Sequence, residues 1–461
     1  MSEQVKDDHP QPRHPGFALS TLLLSSSRAL EYALAGVAGL ILARTLGPEG
    51  RGLYSLITEA GGLVYAPVGL GIATAGIYLS NQRRFSQQVA FSNTMAWLLG
   101  CLAVYGLGAG LLLATRRELF GLGDIGVAVV IVGGALGLFR FAFRDFLAAQ
   151  GRITAVALID AAMPIARLTG VALLLSLAIL DTESAVLAWL MALVIQVAGA
   201  MVLLSKRLSL NPTLHFGALR QQLWYGARGH AGWLLQSLNH RFDVFILAYF
   251  SGSATVGYYA VAFNLAESTW WIPLALGTAL FPRASSLQPA ENASLTASVI
   301  RRSLPLILVS VLAMMLVGQP LIVLLYGSEF SQSVIPFLVL APSGLFYTVT
   351  KLLATSLTAQ GRPQASLYGG MISVPIMIGA NIVLIPWLDA TGAALASNLA
   401  YAVYAAYLVW YFRSVTRLTL RDVFLPTRVD LIESARFAHQ LLGRITGRLR
   451  LAIAPGGETK L

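Results

Sequence analysis

Apolar residues in this chain neither alternate with polar ones nor trace a single helical stripe. They come in unbroken runs separated by short polar clusters. A helix rising 1.5 Å per residue needs about 20 mostly apolar residues to cross a hydrocarbon core roughly 30 Å thick. Twelve runs meet that requirement: 17–43, 53–79, 89–114, 122–139, 153–180, 185–204, 230–250, 257–281, 303–325, 334–358, 366–388 and 393–412. The fourth is the shortest and extends through Phe141 to Phe146 if charged residues are admitted. The pattern predicts an all-α, polytopic membrane protein with about twelve transmembrane helices.

Composition agrees and excludes a string of soluble domains. Hydrophobic residues make up 56% and charged residues 11%, with a mean hydropathy of +0.70, against about 25% charged in soluble proteins. The single cysteine, Cys101, rules out a disulfide framework and a cysteine-based metal site, and the six histidines form no metal-binding motif. The net charge of +11 would point to nucleic acid in a soluble protein. Here 24 of the 32 basic residues fall in alternate connections and the two tails, and only 4 in the intervening connections. Basic loops stay on the cytoplasmic side, so both termini are expected inside the cytoplasmic membrane, with no nucleic-acid partner. Met1–Gly16 is polar, and the run from Phe17 to Ala43 is too long for a signal-peptide core. The outer connections leave no room for a catalytic domain. Residues 413–461 are basic, with Ile432, Ala435, Ala438, Leu441, Leu442, Ile445 and Leu449 at helical spacing; they read as an amphipathic tail on anionic lipid.

The chain repeats itself. Gly47 to Tyr54 and Gly252 to Tyr259 both fit G-x4-G-x-Y, 205 residues apart, and Ala-Gln-Gly-Arg occurs at 149–152 and 359–362, 210 apart. Both pairs fall at equivalent points of the span order. The expected organisation is a tail (1–16), an N-lobe of spans 1–6 (17–204), a cytoplasmic connector (205–229), a C-lobe of spans 7–12 (230–412) and the basic tail (413–461). Six is even, so the halves are parallel repeats around a central cavity, an arrangement of transporters.

The stretch Ala43-Arg44-Thr-Leu-Gly47-Pro48-Glu49-Gly50-Arg51-Gly52-Leu-Tyr54 resembles the start of Wzx-type polysaccharide repeat-unit flippases. The segment from Arg241-Phe-Asp243 through Gly257-Tyr-Tyr-Ala-Val-Ala262 to Phe281-Pro282-Arg283 resembles their middle. These flippases belong to the multidrug/oligosaccharidyl-lipid/polysaccharide exporter superfamily, and the similarity spans roughly residues 17–412. It implies translocation of lipid-diphosphate-linked sugars from the inner to the outer leaflet by alternating access. It also implies a place beside a polymerase and glycosyltransferases in surface polysaccharide biosynthesis.

A charge at mid-bilayer costs about 2.5–3.5 kcal/mol on insertion scales and is a functional candidate. Arg28, Arg241 and Lys351 lie within predicted spans and Arg51 at an outer rim; planar guanidinium suits a diphosphate, so these four are the expected substrate-binding residues. Glu31, Glu59, Asp160, Asp243 and Glu267 would balance the charge or bind a coupling Na⁺ or H⁺. The competing reading is local pairing: Arg28 with Glu31 three residues on, and Asp160 with Arg167 seven on. Pro67, Pro164, Pro273, Pro336 and Pro342 are candidate bending points for a lateral gate. Gly106/Gly110 and Gly133/Gly137 read as ordinary small-residue packing. Trp270 and Trp271 read as interfacial aromatics, with sugar stacking as the alternative. With no phosphate-loop motif and no loop domain, the chain is not expected to be an enzyme. The other readings are an organic-cation antiporter of the same superfamily and a non-transporting membrane scaffold.

Overall fold

The computed structural model describes residues 17–64, 66–114, 124–425 and 430. The predicted amphipathic stretch of the tail lies outside them. The described residues form helices and no strand. In order they are α1 (Phe17–Val64), α2 (Ala66–Gly69), α3 (Ile72–Asn81), α4 (Gln87–Ala114), α5 (Asp124–Ala149), α6 (Ile153–Ser176), α7 (Thr182–Ser205) and α8 (Phe216–Arg241). There follow α9 (Asp243–Glu267), α10 (Trp271–Ser286), α11 (Pro289–Tyr326), α12 (Val334–Leu340), α13 (Ser343–Ala359), α14 (Gln364–Thr416) and α15 (Leu420–Phe424).

Eight helical stretches are long and apolar enough to cross a membrane, and a ninth joins two helices bent by 47° around Pro342. Three of the eight, of 40, 71 and 53 residues, are far longer than one crossing needs. Each contains one residue of non-helical backbone inside a helix: Gly47 (φ 65°, ψ −176°), Gly252 (φ 78°, ψ 178°) and Asp389 (φ 47°, ψ −129°). Counting both sides of each break gives twelve crossings. The predicted loops at Thr45–Gly52 and Ser251–Val256 are therefore one-residue breaks in helix. Glycine alone adopts those angles without strain, and Pro48 follows with the fixed φ favoured at a helix start.

The repeat is also a repeat of backbone conformation. Gly47 and Gly252 share their angles, and the glycines of the two Ala-Gln-Gly-Arg segments, Gly151 and Gly361, both take positive φ (69° and 75°).

Two compact units are present. The first covers Met1–Val261 with Ile322–Ser333 and Asn381–Ala393; the second covers Ala262–Leu321, Val334–Ala380 and Ala394–Leu461. Within the first, Phe91 meets Phe146 edge-on at 5.1 Å and Phe143 at 6.1 Å, in a cluster of α4, α5, α6 and α7. The two copies of the turn motif also meet there. A methyl on Gly52 would lie 1.7 Å from the Ser253 carbonyl oxygen, and one on Gly257 would lie 2.0 Å from that of Pro48. Pro48 and Ser253 are themselves equivalent, so the crossing has local two-fold symmetry and only glycine fits it. Gly133 packs on Trp189, where a methyl would come within 2.5 Å, whereas Gly106 faces open space, so only the former is a packing position. The second unit has apolar residues of α10, α11, α13 and α14 around a polar knot. In that knot Thr296 donates to Ser356 at 2.9 Å, and Ser356 donates in turn to Asn292 Oδ1 at 3.2 Å.

Candidate functional site

The charged residues inside the crossings form separate groups. The first is a ladder on α1 beyond the Gly47 break. Arg51, Ser55 and Glu59 are four residues apart and share one face. Arg51 is 7% exposed and donates from Nη1 to Ser55 Oγ at 2.8 Å, with its guanidinium 5.6 Å from the centre of the Tyr54 ring. Glu59 pairs with Arg241 of α8 at 3.2 Å; both side chains keep about 30% of their surface accessible. The charges that act on Arg51 include the Arg167 guanidinium of α6 and the Glu59 carboxylate. The buried Nε atoms of Arg51 and Arg167 have no hydrogen-bond partner. The Glu59–Arg241 pair thus lies two turns along the same helix face from Arg51, and two buried guanidinium donors, on Arg51 and Arg167, are unused. An unsatisfied buried donor costs about 1–3 kcal/mol, so the group is suited to an anion with oxygens to share.

The second group lies where α5 meets α6 and α1. Arg144 donates from Nε to both carboxylate oxygens of Asp160, at 2.9 and 3.0 Å, and Glu31 faces Arg140 at 3.6 Å. Asp160 therefore pairs with Arg144, four residues after Arg140 on α5, and the α6 pairing with Arg167 does not form. The side chain of Arg28 lies outside the described residues. Asp243 is buried; it accepts from the Tyr259 hydroxyl and, at 2.9 Å, from the Val244 amide. That places Asp243 as a fastener between the start of α9 and its second half.

The third group was not singled out by sequence. Asp145, next to Arg144, accepts a 2.9 Å hydrogen bond from Thr74 at the start of α3, and it lines a cavity of about 430 Å³ between α3, α5 and α8. The extension of the fourth span to Phe146 already contains it, but the charges there mark the end of an apolar run and draw no attention. Arg140 and Arg144, four apart on that extension, are the available signal.

Glu267 and Lys351 belong to the second unit. Lys351 runs along Gly277 of α10, where a methyl would touch its Cε at 3.0 Å. Trp270 is core: it stacks on Tyr347 at 4.4 Å and donates to Ser343 at 3.2 Å. Trp271 is 45% exposed and remains available at a surface.

Twelve crossings in two equivalent sets of six, with no large loop domain among the described residues, define a polytopic all-helical membrane protein built on an internal repeat. Two solved structures share this fold. One is the lipid II flippase MurJ in an inward closed conformation, with a TM-score of 0.68 and 14% identity, covering 88% of this chain and 89% of that one. Another is an inward-facing multidrug resistance MATE family transporter of the MOP superfamily, with a TM-score of 0.67 and 16% identity, covering 87% and 98%.

The family described as polysaccharide biosynthesis protein matches residues 41–335, and the chain belongs to it. The Wzx-like resemblance read from the turn motifs agrees with that membership. Agl15 of Haloferax volcanii, a probable low-salt glycan biosynthesis flippase, is 25% identical over 176 residues. That alignment covers 37% of each chain, so the match spans little more than a third of this relative's length.

Proposed function

We propose that this protein is a flippase that moves lipid-diphosphate-linked glycan units from the inner to the outer leaflet of the cytoplasmic membrane by alternating access, with both termini cytoplasmic. The observation that carries this reading is the surplus of guanidinium in the first unit. Glu59 is matched by Arg241, and the buried Nε donors of Arg51 and Arg167 stay unused. A diphosphate supplies the missing acceptors in the bidentate geometry that guanidinium favours. The partly accessible Glu59–Arg241 pair adds to this: an ion pair open to hydrocarbon is costly, so it belongs against a polar recess. An organic cation gains nothing from such a site.

Family membership and the flippase relatives support the same reading. Polymerase and glycosyltransferases of the same pathway would supply and consume the cargo, and the chemistry needs no catalytic group from this chain. The test is to replace Arg51 and Arg167 together by glutamine and follow lipid-linked units by leaflet. Accumulation on the cytoplasmic side is expected at normal protein levels. Unchanged translocation would remove the diphosphate role; polysaccharide output that falls in cells lacking the protein but is unaffected by the double replacement would favour a scaffold.

A further inference from the structure

We infer that Asp145 is a proton-binding site whose charge state controls the docking of half-helix α3. The inference stands on a break in the second crossing. Between α2 and α3 the chain passes through Leu70 (φ 44°) and Gly71 (φ 61°), and α3 begins with no side-chain cap. A leucine in the left-handed region costs about 1–2 kcal/mol, so the surroundings must hold the break in place.

What they place there is a carboxylate. Asp145 accepts from the Thr74 hydroxyl at 2.9 Å, in the first turn of α3. Most of the cavity around it is apolar, with Ile72, Ala73, Leu98, Leu138 and Ala142 in its wall. The adjacent Arg144 is committed to both oxygens of Asp160. Among the described residues no basic side chain comes within ion-pair distance of Asp145. The other ionisable groups near it belong to each neighbouring helix. Tyr225 and His230 of α8 line the cavity, and Tyr78 of α3 stacks on Tyr225 at 4.6 Å. On α1 Glu31 faces Arg140; α4 carries Cys101 and Tyr105 farther along, and α7 carries only Glu183, in its first turn.

Ionised, Asp145 holds Thr74 and faces the positive end of the α3 dipole. A proton taken from water onto one carboxylate oxygen removes the charge and weakens the hold on α3, because a neutral carboxyl is the poorer acceptor and no longer answers the helix dipole. The consequence reaches the anion cluster through two rods. The crossing that ends in α3 carries Arg51, Ser55 and Glu59 in its other half. Helix α8, which carries Arg241, packs against the break itself: a methyl on Gly226 would lie 2.3 Å from the Leu70 carbonyl oxygen. That link to cargo rests on the proposed function; proton binding by Asp145 does not.

The test uses the full-length protein in liposomes and infrared difference spectroscopy of the carboxylic acid C=O band as buffer is acidified. A band that Asp145→Asn lacks is expected. Thr74→Val, which keeps shape but removes the donor to the ionised form, should move the midpoint to higher pH by about one unit. With a lipid-diphosphate probe, D145N should lower translocation driven by a pH gradient about tenfold, a typical coupling energy. A titrating band that persists unchanged in D145N, or one abolished by sodium at fixed pH, overturns the assignment. Absence of translocation in the unmodified protein would sink the flippase reading and leave the infrared result standing.

Discussion

Pro67-x-x-x-Gly71 and Pro273-x-x-x-Gly277 occupy the same place in the two repeats, 206 residues apart, yet take different shapes. In the first repeat the helix breaks at Leu70–Gly71 and opens on a cavity holding Asp145. In the second the chain tightens for one turn at Ser268–Trp270 and continues as α10, with Trp270 packed and Gly277 helical against Lys351. The residue equivalent to Asp145, by the offset of the Ala-Gln-Gly-Arg segments, is Thr355. The same Pro/Gly pattern therefore permits either a break or a straight helix, and the neighbours decide. A backbone-to-backbone approach from Gly226 fixes the break; a flexible lysine stem lying along Gly277 fills the straight groove.

The largest expected effect breaks the first half of this comparison. Gly226→Ala pushes a methyl to 2.3 Å from the Leu70 carbonyl and 3.0 Å from that of Gly71. Backbone atoms cannot step aside, so a loss of about 3 kcal/mol is expected, read as a lowered unfolding temperature in detergent. Asp160→Asn comes next. It removes the partner of Arg144 and should cost about 3 kcal/mol, because a mostly buried guanidinium is left with neither oxygen charge. It also frees Arg144 to turn toward Asp145, so the infrared band should weaken at acid pH. Trp270→Phe, in the second repeat, loses the hydrogen bond to Ser343 and should cost about 1 kcal/mol. Gly277→Ala should change stability by less than about 1 kcal/mol, since the added methyl meets only the movable Lys351 stem and the Thr355 hydroxyl. A loss as large as that of Gly226→Ala would erase the distinction drawn between the two repeats.

The smallest effect concerns pH at the start of α7. Asp181 accepts from the Ser184 amide at 2.8 Å, and Ser184 returns a bond from the Asp181 amide at 2.9 Å. The bond from the Ser184 amide, with a smaller contribution from the Ser184 hydroxyl, holds the Asp181 carboxyl below the usual range for aspartate. A depressed carboxyl contributes stability above its unfolded value, lost as pH falls through the folded one. The cap should therefore weaken only below about pH 4, by a few tenths of a kcal/mol for so exposed a group. Asp181→Ala should flatten that limb of the stability profile; an unchanged limb would assign the acid sensitivity elsewhere.

Much of this was legible in the residue order. Runs of apolar residues gave twelve crossings, and the doubled turn motifs gave the repeat, while the shared φ of Gly47 and Gly252 that turns both predicted loops into helix breaks came from the structure. Candidate charges at Glu59 and Arg241 were visible because an ionisable side chain in an apolar run is conspicuous, whereas Arg51 read as a residue of the outer rim and only the fold carries it into a helix. The partners were not visible. Arg140, Arg144 and Asp145 looked like the end of a span, since three charges within six residues lower the local hydropathy below that of a crossing.

Crossing number, the repeat and the places of the turns were set by sequence alone, because burial in hydrocarbon and the backbone freedom of glycine are local properties of the chain. Which charge neutralises which, which donors are left over, and which of two identical Pro/Gly patterns breaks were decided only in three dimensions. Pairing at 3 Å and a carbonyl pressed against a glycine depend on helices far apart in sequence, and no local pattern records who the neighbour will be.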